Sequence, residues 1–549
     1  MARTENGALS LASPQPIGLE EKIQGRTSFF FKIVRNLLDN AEGRETLNTY
    51  LSMAHSENVR DTLILVFHLR NCRKNGGKGE RELFRQCIEW YVSNGHGDLM
   101  QKNLHCVVEF GRWDDVLVCP GGHDFMAKQL LKDFATPLLS EEKKSVAISL
   151  AAKWAPSACM RNKKSRGKHV PMVAALNAQL EATKSTLFGR FPIREKEYRK
   201  LLSTLRERIN VVERLMCANR WDDIDFNKVP SNAMHLYSKD NKAKEVRKRR
   251  RVANASEGGA FQRHCPERFS EWRRGLASGK TSSGAIAKVN AGQLFPYEVV
   301  AEVKSMERYS MVETETDAMK LTEAKWKVLE DNVRAMGTMQ KCLFVADVSG
   351  SMTACVSDKS SVTCLDVAVS LALLGSRCSV GSFKDLVITF SGTPTFFDLS
   401  SAKKLSDAII KMESMDWGAN TNLQAVFEMI LQRGQQFHVP VEEFPTTIVI
   451  LSDMEFDSCI TDGDVTNFQA AKKKYADAGY AMPTLVFWNL RSSVTNQFPV
   501  SADENGTVLM SGFSPSLMKE LINGDASKIT PWKIIRNVLD SDVYNCVQV

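Results

Sequence analysis

No stretch of the 549 residues stays apolar for long enough to span a bilayer. The opening MARTENGALSLASPQPIG has no apolar core of the kind a secretory leader carries. From these absences neither a membrane-spanning helix nor a secretory leader is expected; an intracellular protein, cytoplasmic or nuclear, is. Thirteen cysteines are scattered singly with no C-x-x-C pair, which argues against both a disulfide framework and a cysteine zinc site; reduced and mostly buried thiols are expected instead. Ser-His-Asp, metal-hydrolase and nucleotide constellations are also missing, so the chain is expected not to be an enzyme. GLASGKTSSG imitates a phosphate-binding loop, but only three residues separate Gly275 from Gly279 where four are needed, and the preceding EWRR is no buried strand. In NGGKGERE, Asn75 to Glu82, the glycines are expected to turn the chain between helices.

What is there exceeds a single core. A chain of this length predicts two or three domains, and 43% hydrophobic with 25% charged residues is the balance of an ordinary globular protein. The net charge of +8 conceals a division: residues up to 340 carry a net +15 and those from Lys341 onward a net −7. The first part is therefore suited to a polyanion and the second is not.

Residues 1–27 read as a disordered lead-in, and 28–336 as helical almost throughout, with apolar residues at three- and four-residue spacing in RDTLILVFHLRNCR and YRKLLSTLRERINVVERLM. Arg-Trp-Asp-Asp occurs twice, at Arg112–Asp115 and Arg220–Asp223, each closing an apolar helix. Either this is a degenerate HEAT-like helical repeat, whose units bury their apolar faces by stacking, or it is a coincidence in a long helical chain. Within this part lies a basic insertion, 238–253, densest at Arg247, Lys248, Arg249, Arg250 and Arg251. It reads as a solvated face, a phosphate-binding patch or a nuclear-import tag. Arg263, Arg268, Arg273 and Arg274 follow, interleaved with Phe261, Phe269 and Trp272. The cations would hold phosphates; the rings would stack on unpaired bases or belong to a core.

After Gly337 the texture changes. KCLFVADVSGS, DLVITFSG, TTIVILSD and PTLVFWNL are short apolar runs separated by amphipathic stretches, a pattern that predicts a doubly wound, mostly parallel sheet with helices on both faces. Asp347 and Asp453 fall just where two of these strands end. Asp347, Ser349 and Ser351 make a set of hard oxygen donors with little charge, which suits Mg2+, or Mn2+, better than zinc; the alternative is that they merely cap the next turn and helix.

The motif D-V-S-G-S-M resembles the metal-ion-dependent adhesion site of von Willebrand factor type A domains. Those domains add a threonine from a second loop and an aspartate from a third, and Thr421 in WGANTNL and Asp453 in LSDMEFD stand in that order here. The resemblance covers 339–549 and implies a Rossmann-like fold with a divalent ion held by Asp347, Ser349, Ser351, Thr421 and Asp453, and one position left for an acidic partner or a phosphate. One departure is Met454, where a glycine is common, with Glu455 and Asp457 close by. Helical repeats followed by such a domain resemble the layout of TROVE proteins, the Ro ribonucleoprotein family, and KWAPS, WDDIDFNKVPSNAM and LFPYEVV are more similar to uncharacterised relatives of that layout. This implies a non-enzymatic scaffold that binds single-stranded or structured small RNA through its basic part. The alternative is a metal-dependent protein-interaction module without RNA, its basic run serving as a nuclear-localisation tag.

Overall fold

The structure is a computed structural model. It describes residues 23–549 apart from 74–75, 137–147, 159–166, 239–258, 293, 308–316, 338, 340, 359, 391–393, 414–422, 454–466, 492–505, 516 and 518–529.

Before Cys342 the regular elements among the described residues are helical, and after it six strands form one sheet. They are β1 (Cys342–Asp347), β2 (Leu386–Phe390), β3 (Phe396–Asp398), β4 (Thr447–Ser452), β5 (Thr484–Asn489) and β6 (Thr507–Ser511). Their order is β3-β2-β1-β4-β5-β6. Only β3, at one edge, runs antiparallel. All residues of β1, β5 and β6 are buried, which is why β1 and β5 read as unbroken apolar runs: a parallel sheet is covered on both faces.

One face packs Leu343, Val345, Ile388, Ile450 and Phe487 against Val426, Phe427 and Tyr475 from the helices Leu423–Gln436 and Asn467–Asp477. On the other, the helix Cys364–Cys378 lies so close to β1 that a Cβ on Gly375 would sit 2.1 Å from the Phe344 ring. That helix starts on a capping box, in which Thr363 accepts from the Asp366 amide and Asp366 accepts from that of Thr363. Lys304 reaches Asp366 at 2.8 Å from the helix Pro296–Glu307.

The chain forms two compact units. The larger contains the described residues up to Leu83 together with Phe226–Asn545, and the smaller Phe84–Asp225 with Cys546–Val549. The change of texture near residue 337 is thus a change of secondary structure and not the border of a compact unit. The reason is burial. Phe31, from the helix Gln24–Lys32, belongs to the same apolar cluster as Leu343 and Val345. Both copies of Arg-Trp-Asp-Asp lie in the smaller unit and open a 3-10 turn, Trp113–Val118 and Trp221–Asp223. In the first, Asp115 is fully buried and accepts from the Arg112 amide at 3.1 Å; in the second, Asp222 and Asp223 are exposed. No described helix is long and apolar enough to cross a membrane.

Candidate metal centre

β1 and β4 are neighbours, and between them the strand order reverses: β2 and β3 lie on one side, β5 and β6 on the other. At such a switch point the connections leave in opposite directions and open a crevice beyond the carboxyl ends of the strands. Asp347 is the last residue of β1 and Asp453 the first past β4. The sheet therefore brings together two acidic residues 106 positions apart in the chain.

The local geometry is tight. The Ser349 amide donates to Asp347 Oδ1 at 2.9 Å, and the Ser452 hydroxyl donates to Oδ2 at 2.5 Å. The hydroxyls of Ser349 and Ser351 are 3.0 Å apart. Asp347, Ser349 and Asp453 are buried, while Ser351, on the 3-10 turn Gly350–Thr353, is half-buried and forms the outer side of the group. Burial first, then the charge of Asp453, push the Asp347 carboxyl up to about 7, against the pull of the hydrogen bonds from Ser452 and Ser349. A second negative charge is costly here in the ion-free protein, and a dication at this point would reverse that cost. Two carboxylates and two hydroxyls fit a hard cation such as Mg2+. Thr421, Met454, Glu455 and Asp457 lie outside the described residues.

Farther along the same edge the ends of β5 and β6 are closed. Asn489 and Ser511 donate to the carbonyls of Phe31 (3.5 Å) and Phe30 (3.1 Å). Lys78 fills the remaining space, its ammonium bonded to the Phe30 carbonyl and to Ser511 Oγ at 2.6 Å. It is turned inward by Gly77 and Gly79, whose φ angles of +126° and +73° suit glycine. Residues 76–80 of NGGKGERE lie between the helices Val59–Arg70 and Arg81–Ser93. They also deliver a buried cation, which the sequence reading missed. The signal was the lysine between two glycines.

Of the cations proposed for RNA, Arg247, Lys248, Arg249, Arg250 and Arg251 lie outside the described residues. Arg263, Arg268 and Arg274 are exposed. Arg273 is buried, with its guanidinium 4.6 Å from the Phe269 ring centre and bonded to Gln262 at 2.8 Å. The interleaved rings are core. Phe261, Phe269 and Trp272 are buried, all within 5.2–5.4 Å of the Phe226 ring, because the two short helices Ala260–His264 and Pro266–Gly275 have no other apolar face to bury. Those rings offer no platform to bases. Gly275 of GLASGKTSSG ends the helix Pro266–Gly275, and farther on Thr281 and Ala287 donate to the carbonyls of Ala285 and Gly279, so the stretch does not follow a strand as a phosphate-binding loop does. The spacing of the cysteines gives no zinc motif, yet the fold brings the ligand atoms of His105, Cys106 and Cys546 within 4.8 Å of one another. A search for paired spacings misses them because 440 residues separate the two thiols.

Residues 123–339 are similar to the family described as Domain of unknown function (DUF2828), and residues 341–537 to Domain of unknown function (DUF7788). The border between the two matches falls where the helical texture gives way to strands. The chain is also 27% identical over 547 residues to Uncharacterized protein L728 of Acanthamoeba polyphaga mimivirus, an alignment covering 94% of this chain and 85% of that protein.

Proposed function

We propose that this chain is a non-enzymatic binding scaffold in which the end of β1 holds a divalent cation, Mg2+ or Mn2+, that ligates an acidic group of a partner, while cation-rich helical segments contact RNA. The observation that carries the first half is the meeting of Asp347 and Asp453 at the switch point, with the Ser349 and Ser351 hydroxyls beside them. A von Willebrand factor A-like reading of the sheet is supported by the same strand order and by the antiparallel edge strand β3. In this reading Asp347 and Asp453 supply charge, the hydroxyls supply neutral oxygens, Thr421 adds one more, and the ion offers its remaining position outward past Ser351. The TROVE-like, RNA-binding half rests on the charge division, net +15 before residue 341, since phosphate neutralisation supplies most affinity that does not depend on sequence.

Calorimetry tests the ion: wild-type protein binds one Mg2+ and Asp347→Ala does not. Equal binding by the two removes the assignment. The RNA half needs the intact chain, because a cut at residue 340 would divide a compact unit. Replacing Arg247, Lys248, Arg249, Arg250 and Arg251 by glutamine flattens the slope of log affinity against log salt for a labelled single strand by about two to four. A second reading, a metal-dependent protein-interaction module without RNA, is favoured by the interior position of Phe261, Phe269 and Trp272. Protein purified from cells free of nuclease-sensitive RNA, with an unchanged salt slope in the glutamine variant, selects it.

A further inference from the structure

A second group of donors stands apart from the oxygen site in kind. In the smaller unit, the helix Leu104–Phe110 carries His105, exposed, and Cys106, buried. The segment Cys546–Val549 is held to the same helix start: Asn103 donates to the Gln548 carbonyl at 2.6 Å and accepts from the Gln548 amide at 2.8 Å. His105 Nε2 is 3.0 Å from the Cys546 carbonyl oxygen. This clamp sets Cys546 Sγ 3.0 Å from Cys106 Sγ, with His105 Nε2 3.3 Å from Cys106 Sγ. Glu109, one turn along, adds its negative charge to the field at Cys106.

The geometry points to a binding site for a borderline-soft divalent ion, Zn2+ above all, formed by His105 Nε2, Cys106 Sγ and Cys546 Sγ with water in the fourth position. Zinc bonds of about 2.3 Å to sulfur and 2.0–2.1 Å to nitrogen, arranged as a tetrahedron, place two sulfurs about 3.8 Å apart and nitrogen and sulfur about 3.6 Å apart. The present separations of 3.0 and 3.3 Å fall short of those values by about 0.8 and 0.3 Å, and His105 Nε2 and Cys546 Sγ are within 4.8 Å of one another. Two thiolates neutralise the dication, and their protons leave to solvent as the ion binds. His105 exchanges its contact with the Cys546 carbonyl for the metal, and because it is exposed the ion enters from water. The two-bond clamp from Asn103 orders one ligand-bearing segment before the ion arrives, which lowers the entropic cost of closing the site. This site is independent of the one at Asp347 and survives the failure of that reading.

The test is a Co2+ titration of reduced, metal-free, full-length protein followed by absorption. The expected result is a thiolate-to-cobalt charge-transfer band, with the visible bands of tetrahedral Co2+, saturating at one ion per chain and bleached by Zn2+. The band disappears in Cys106→Ser and in Cys546→Ser. His105→Ala, at an exposed position that folding tolerates, weakens Zn2+ by about tenfold or more. Asp347→Ala leaves the band in place, since an oxygen site gives no thiolate transition, and so does Cys217→Ser, an exposed thiol outside the group. No thiolate band in the wild-type protein, or a band that persists in both serine variants, overturns the proposal. A Cys106–Cys546 disulfide that resists excess thiol reductant overturns it too, because the sulfurs then serve as a covalent clasp.

Discussion

The oxygens at the ends of β1 and β4 and the nitrogen and sulfurs of His105, Cys106 and Cys546 reach the same end, a cluster of donor atoms, by opposite routes. The oxygen cluster is seeded by five consecutive residues, Asp347 to Ser351, and completed by the register of neighbouring strands. Its carboxylates are buried, and in the proposed site an ion would meet them past a half-buried serine. The sulfur cluster has no motif; it exists because Asn103 grips a segment more than 400 residues away. Hard donors stand on a sheet whose backbone fixes them, and soft donors stand where one short segment lies along a helix. The first arrangement is preformed by the fold, whereas the second depends on a clamp.

The most drastic way to break this comparison is to exchange the ions. Asp347→Ala is expected to weaken Mg2+ by at least about a hundredfold, exceeding the loss typical of an outer-shell partner, while the Cys106→Ser protein binds Mg2+ as the wild type does. Calorimetry reads both, and a thiol-dependent Mg2+ affinity would dissolve the distinction.

The pH dependence sharpens it. The Asp347 carboxyl, 3.8 in an ordinary setting, is held up to about 7 in the ion-free fold. Between those values the folded protein keeps a proton that the unfolded chain releases, so ion-free stability from this group is full below about 4 and lost as pH rises through 7. In the proposed site Mg2+ would compete with that proton, so its affinity is expected to fall by about tenfold per pH unit below 7. Stability curves with and without Mg2+ at several pH values check both signs.

The clamp gives a smaller effect. Asn103→Ala removes both bonds to Gln548 and is expected to weaken Zn2+ by about tenfold without altering Mg2+ binding. Competition with a chromophoric chelator measures it.

Last, Lys78→Met separates stability from either site. It leaves the Phe30 carbonyl and Ser511 without their amine, a loss of about 1–3 kcal/mol in denaturant unfolding, with both ion affinities unchanged. Burial lowers the Lys78 amine to about 7 from 10.5. Its contribution is therefore full above about 10.5 and lost as pH falls towards 7, a slope that the methionine variant lacks.

The same contrast explains what was legible in the sequence. β1, β2, β4 and β5 were readable because burial on both faces leaves an unbroken apolar run, the short β3 and β6 were not, and Asp347 was, because polar residues interrupt that run at its end. The partnership of Asp347 with Asp453 follows once the strand order is known. Phe261, Phe269 and Trp272 fit two readings equally in one dimension, since a ring at helical spacing looks the same facing a base or a core; only their meeting at Phe226 decides. The border of the compact units was illegible because Phe31 sits in a helical stretch that looks self-sufficient yet completes the face of a sheet. The thiol pair left no local trace at all.

The bond from Ser511 to the Phe30 carbonyl joins residues 481 positions apart, and this has a consequence for how the protein is made. At about 5–20 residues per second, the ribosome needs roughly 25–100 seconds to travel that distance. For most of that interval Phe31 has emerged, but Leu343 and Val345 of β1 and Leu509 of β6, which share its apolar cluster, have not. The nascent chain therefore carries Phe31 before its sheet partners exist, and contacts of such high sequence separation make the larger unit a slow folder whose final closure follows synthesis of β6.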